Sequence, residues 1–330
     1  MRRSADGFSV IELTVALALT LIVAGTVAAI VGPARSVFDS QPEAIDVQQR
    51  LRVGVEALTR DLIGAGAGSP VGGRSGPLAE VVPPVLPFRR GAGRSDPPDT
   101  FRSDAITIIS VPATAVQTTL AADFDVGATA LTVMPTVGCG EGVTLCGVVP
   151  GMTVLVSEIG GAFDLFDVTA VDDAASQLTV TPASGASAYP TGVPVVEARV
   201  RTYYLKNDSV THTAQLMRSD SAATGDAPVL DHVAALTFDY LSASGTPIAA
   251  SELADGPWLP NAAAASRWDA DLLRIRAIGV TLRIEAALAA FRGPAGALFR
   301  HGGVAPSARL WVPDQEMRFV VSPRNLGASR

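Results

Sequence analysis

The chain has 330 residues, 25 Lys and Arg against 32 Asp and Glu, and a formal net charge of −7 at pH 7. A hydrophobic content of 48% with only 17% charged residues excludes a wholly disordered chain, and the acidic excess argues against a basic nucleic-acid-binding face. The 31 Gly and 23 Pro without a repeat exclude collagen and point to a loop-rich, strand-rich body, while a single long apolar stretch excludes a multi-span membrane protein.

Met1 to Gly7 is short and net positive, and Phe8 to Val31 then runs 24 residues with one charge, Glu12. A helix of that length measures about 36 Å, enough for a hydrocarbon core of about 30 Å. Arg2 and Arg3 predict a cytoplasmic amino end and an exported carboxy end. An ordinary secretory signal peptide is the competing reading, with small residues at Ala28-Ala29, but its apolar core usually spans only about 7–15 residues. Glu12 is the odd residue, since a carboxylate at the bilayer centre costs a few kcal/mol and marks a function or a partner. A cut between Gly7 and Phe8 would place a new amino group four residues before Glu12, on the same helix face. The two charges could then neutralise each other, within one subunit or between neighbours.

The run Gly7-Phe8-Ser9-Val10-Ile11-Glu12-Leu13-Thr14-Val15-Ala16 resembles the processing signature of type IV pilins and type II secretion pseudopilins. The shared pattern is a short basic leader ending in Gly, then Phe, then an apolar helix carrying Glu. The resemblance implies that a prepilin peptidase cuts between Gly7 and Phe8 and methylates the new amino group, and that Glu12 is the assembly residue. It also implies an α+β pilin-like fold, in which a long amino-terminal helix, transmembrane in one half and amphipathic in the other, packs on an antiparallel β-sheet.

Gly32-Pro33 predicts a bend or break after the apolar segment, and Ser40-Gln41-Pro42-Glu43 reads as a capping box that starts a second helix. Val47, Leu51, Val55, Leu58 and Leu62 then form one apolar stripe at helical spacing, with Arg50, Arg52, Glu56, Arg60 and Asp61 on the polar side and Gly64 at the end. Residues 64–100 are rich in Gly, Pro and Arg and read as a loop or connector. Strand-like runs follow at Ala105–Val111, Ala130–Met134, Met152–Ile159, Phe163–Val171, Gln177–Thr181 and Val193–Leu205, in an antiparallel arrangement. The turn Lys206-Asn207-Asp208-Ser209 predicts a hairpin onto Ala214–Arg218. Leu236, Phe238 and Tyr240 alternate, and so do Ile278, Val280, Leu282 and Ile284, whose neighbours Gly279, Thr281, Arg283 and Glu285 face the other way. Met317–Val321 closes the set.

With the resemblance, these features imply a leader over 1–7, a transmembrane and assembly helix over 8–31 and a kink with amphipathic stem helix over 32–64. A connector over 65–104, a β-rich insertion over 105–200 and a main β head over 201–330 complete the chain. Arg60-Asp61-Leu62-Ile63, the run from Val233 to Leu241 followed by Gly245, and Arg324-Asn325-Leu326 resemble PilW-like minor pilins and J-type pseudopilins, with the length favouring the former. The resemblance implies a non-enzymatic structural subunit that primes or caps a type IV pilus. Its partners would be the prepilin peptidase, other major and minor pilins, the inner-membrane assembly platform and the lipid bilayer. It would sit in the inner membrane with a periplasmic head before entering a pilus or pseudopilus fibre. The alternatives are a J-type pseudopilin at a secretion tip and an anchored exported binding protein or hydrolase.

Cys139 and Cys146 lie in a Gly-containing loop, and in an exported chain a local disulfide is favoured over metal ligation because no further Cys or His completes a site. Asp123, Asp125, Asp172, Asp173, Asp269 and Asp271 are the carboxylates from which a calcium site could be drawn, although such pairs are more often solvated turns. Otherwise no cofactor is expected. His212, His232 and His301 are scattered, Trp258, Trp268 and Trp311 read as core, and no hydrolase or phosphate-loop motif is present.

Overall fold

A computed structural model describes residues 9–66, 83–91, 95–97, 100–112, 115–136, 138–158, 163–181, 186–208, 213–221, 225–254 and 270–323. It is an α+β protein with one amino-terminal apolar helix and a large antiparallel sheet. Two compact units divide it: Met1–Gln49 with Glu285–Gln315, and Arg50–Ile284 with Glu316–Arg330.

Helix α1 runs from Val10 to Ile63, 54 residues, or about 80 Å. It is not broken at Gly32-Pro33, contrary to the sequence expectation. Proline removes one backbone donor, and a long helix already nucleated on both sides absorbs that single missing bond. The Ser40–Glu43 box also fails to form, because Ser40 lies inside the helix, where no free N-terminus needs a cap. The Glu43 carboxylate instead accepts the Ala287 backbone N–H.

Along the carboxy half, Leu51, Leu58 and Leu62 are buried as their spacing predicts. Gly54 joins them, since a Cβ there would lie 2.8 Å from Leu282 and 2.9 Å from Leu230. A bare backbone is what allows the helix to approach so closely. Asp61, expected on the polar side, is buried as well. It follows Leu58 by three residues, which places it at the border of the buried stripe. Its carboxylate accepts 2.7 Å bonds from Arg201 Nη1 and Tyr203 Oη. The helix ends at Ile63, just before Gly64 as expected, and the chain turns away at Gly66, which takes φ +69° and donates its N–H to Ile109 O at 2.9 Å.

Among the described residues thirteen strands follow: β1 Val85–Leu86, β2 Ala105–Ser110, β3 Gln117–Thr119, β4 Ala130–Thr132, β5 Thr153–Ser157, β6 Phe163–Asp172, β7 Gln177–Thr181, β8 Pro194–Asp208, β9 Thr213–Asp220, β10 Ala227–Leu230, β11 Val233–Leu241, β12 Ala277–Ile284 and β13 Gln315–Val321. The first ten form one sheet, ordered β1-β2-β8-β5-β6-β7-β4, with β3 and β9 on β8 and β10 on β9. The last three form a second sheet, β11-β12-β13.

β8 organises the large sheet. Its residues 194–198 pair with β3 and β5, and its residues 199–208 pair with β2 and β9. It crosses position 200 without interruption. The far end of the sheet returns to its start, because Leu120 bridges Val133, Ala121 N–H donates to Thr132 O at 2.9 Å, and Met134 N–H donates to Thr119 O at 2.8 Å. β3, β8, β5, β6, β7 and β4 therefore close into a six-stranded barrel, which removes the open edges a sheet would otherwise present. Leu120, Phe124, Leu131, Val156, Phe166, Leu178 and Tyr189 fill it, with Phe124 and Phe166 edge-to-face at 5.2 Å.

The segment 285–315, between β12 and β13, packs on itself: Phe299 and Trp311 meet edge-to-face at 5.5 Å over Gly293. Glu285, expected to face outward in line with Arg283, is instead fully buried, because β12 ends at Ile284 and the chain leaves the strand geometry. Arg292 Nη1 and His301 Nδ1 approach its carboxylate at 3.1 and 2.7 Å.

Candidate functional site: the exposed amino-terminal helix

Val10–Ala29 is a 20-residue span with a mean hydropathy of 2.2 and none of it buried within the chain. Apolar side chains point in every direction: Leu13, Leu17 and Leu21 follow one line, Val15, Leu19, Ile22 and Val23 cover the others, and each is more than half exposed. A helix that is apolar all round needs lipid or other helices to cover it. Its three threonines make no demand on such a covering. Thr14, Thr20 and Thr26 donate their hydroxyls to Ile11 O, Ala16 O and Val23 O at 2.8–2.9 Å, so their polarity is satisfied within the helix.

Glu12 sits in the first turn. Its Oε2 accepts the Ser9 N–H at 2.9 Å, while Ser9 Oγ accepts the Ile11 N–H at 3.2 Å. This is a reciprocal capping box, and the carboxylate also lies at the positive end of the helix dipole. Two such sequence patterns exist, Ser9-x-x-Glu12 and Ser40-x-x-Glu43, and only the first stands where a helix begins. Ser9 is thus a site residue that sequence reasoning overlooked, although its signal was present. Gly7 and Phe8 lie outside the described residues.

The remaining candidates are dispersed. Cys139 and Cys146 are joined in a disulfide with Cα atoms 5.4 Å apart. The loop they close is held by Asp173, whose Oδ1 accepts the N–H groups of Thr144 and Leu145 at 3.0 and 2.9 Å. The carboxylates considered for calcium serve as local braces: Asp123 accepts the Thr191 N–H and hydroxyl at 2.8 Å, Asp172 accepts the Ala175 N–H, and Asp271 pairs with Arg274. Those bonds also hold the Asp123 carboxyl below the usual carboxylate range. Among the described residues no group of three His, Cys, Asp or Glu side chains is placed to hold a metal. His232 takes φ +52°, His301 belongs to the Glu285 cluster, and Trp311 is packed against Phe299. Asp269, His212, Trp258 and Trp268 lie outside the described residues.

Comparison of the chain with protein-family models and with curated proteins finds no match.

Proposed function

We propose that this chain is a PilW-like minor pilin, a structural subunit that primes or caps a type IV pilus after a prepilin peptidase has removed residues 1–7. The observation that carries the reading is the amino-terminal helix, exposed and apolar over Val10–Ala29, with Glu12 in its first turn, continuing unbroken into a half whose Leu51, Leu58 and Leu62 are buried. One half suits lipid or a helical bundle, and the other carries a β-rich body.

The mechanism is physical. Lipid stores the span until other subunits replace it, and exchanging one apolar surrounding for another lets a helix leave the bilayer without exposing the span to water. Glu12 sets the register. Before the cut its carboxylate is held by the Ser9 N–H. After the cut, the ammonium of Phe8 on an adjacent subunit offers a full charge instead of a backbone dipole, a stronger partner in a low-dielectric core.

Mass spectrometry of the mature amino terminus tests the reading directly. The expected species begins with N-methylated Phe8; an intact Met1, or a start beyond Ala29, overturns it. Glu12→Ala is expected to leave membrane insertion unchanged and to remove the subunit from sheared fibres.

A further inference from the structure

β13 is the end strand of the β11-β12-β13 sheet, and among the described residues nothing pairs with its other edge. It runs seven residues, Gln315-Glu316-Met317-Arg318-Phe319-Val320-Val321, without Pro, Gly or Lys. Those are among the devices that prevent an edge strand from recruiting another chain, and the charges the strand does carry, Glu316 and Arg318, are of opposite sign. Nor is the strand covered on its faces: Met317 and Val320 are 42% and 62% exposed, and the Arg318 side chain is 76% exposed.

The strand is also complementary to itself in one register. Antiparallel pairing about Met317 sets Glu316 opposite Arg318 of the second copy and Arg318 opposite its Glu316. Glu316 and Arg318 already touch within one strand at 2.9 Å, so the pairing would build an alternating ring of four charges on one face. On the other face Met317 meets Met317, and Gln315 meets Phe319. Moving the centre one residue to Arg318 sets like charges opposite each other, which cross-strand energetics disfavour. Among two-fold registers of the strand, the one centred on Met317 alone sets both of its charges against opposite charges, and a two-fold arrangement has self-limiting contacts.

We propose that the free edge of β13 is a homotypic docking site, through which two copies of this chain join by antiparallel strand addition centred on Met317. It stands apart from the minor-pilin reading, since a chain that is merely anchored carries the same edge.

The proposed register is open to a chemical test on the full chain in its membrane. Directly opposed residues in an antiparallel pair have Cα atoms about 4.5–5.5 Å apart, within the range of about 4.4–6.8 Å that a disulfide bridges. The native cysteines are already bonded to each other. Met317→Cys is therefore expected to give a covalent dimer on copper-catalysed oxidation, whereas Val126→Cys, more accessible at 70% exposure, gives only a collisional background. Adding Arg318→Glu to Met317→Cys places Glu against Glu twice and should lower the dimer yield roughly tenfold at limiting protein. Adding Glu316→Arg as well restores opposite charges and should restore the yield. A Met317→Cys yield no higher than that of Val126→Cys overturns the proposal, and so does a yield indifferent to Arg318→Glu, or an adduct with a protein of different mass.

Discussion

The amino-terminal span of α1 and the barrel closed by β3 and β4 are both built largely from small aliphatic residues, and they treat that apolar surface in opposite ways. The barrel turns Leu131, Val156, Leu178 and their neighbours inward and joins β3 to β4, so its own strands cover its core. The span satisfies its backbone and its threonines internally and leaves every apolar side chain outside. Backbone satisfaction and apolar burial are thus separable. A segment that meets the first requirement but not the second is compatible with a non-aqueous surrounding, whereas the barrel buries its apolar core among its own strands.

The largest expected effect comes from charging the span. Leu19→Arg with Val23→Arg puts two cations on one helix face, each costing about 2.5–3.5 kcal/mol near a bilayer centre. Flotation should find the chain lost from the membrane fraction, while the urea midpoint of the β body stays at its wild-type value. Retention in the membrane would break the contrast.

Phe166→Ala is the converse change. Phe166 is fully buried against Phe124, so the truncation should cost about 3–5 kcal/mol, seen as a lower urea midpoint and faster proteolysis of residues 117–198, with flotation unchanged.

The smallest effect concerns an ionic brace beside β1. Burial alone would raise the Asp96 carboxyl, but hydrogen bonds from the Arg89 side chain and backbone, with the charges of Arg89 and Arg102, hold it below the usual carboxylate range. A depressed carboxyl stabilises the fold above its unfolded value of about 3.9 and loses that contribution as the pH falls through its folded value. Asp96→Asn should therefore remove on the order of 1 kcal/mol at neutral pH and flatten the acid limb of the stability curve below about pH 4. An unchanged acid limb would show that the brace contributes nothing.

Much of the fold was legible because the sequence repeats its message locally. Alternation at Ile278, Val280, Leu282 and Ile284 places β12, and the five-residue run Gln177–Thr181 places β7, with the predicted ends matching the observed strands closely. What was not legible depended on distant partners. β1 has two residues inside a stretch dominated by Gly and Pro, and β10 contains Pro228, so neither carries a periodic signal. Closure of the barrel rests on the Leu120–Val133 bridge, which no local pattern announces. Asp61 looks like a solvated charge until Arg201 and Tyr203, far along the chain, are seen to meet it. At the site the lesson is narrower. The apolar span and its single carboxylate are visible in the composition, whereas the role of Ser9 required knowing where the helix begins.

β8 gives the barrel a mechanical character. Because one strand of 15 residues belongs to the barrel at one end and to the β2–β9 layer at the other, a pull along its axis loads the hydrogen bonds to β2, β3, β5 and β9 together, in shear, instead of opening them one at a time. The barrel is continuous in sequence yet cannot be excised cleanly. Deleting it between β2 and β8 would strip both edges from residues 194–198 and leave Val195 and Val196 without their cover. The strand acts as a shared beam, and a load reaching either end is carried by both.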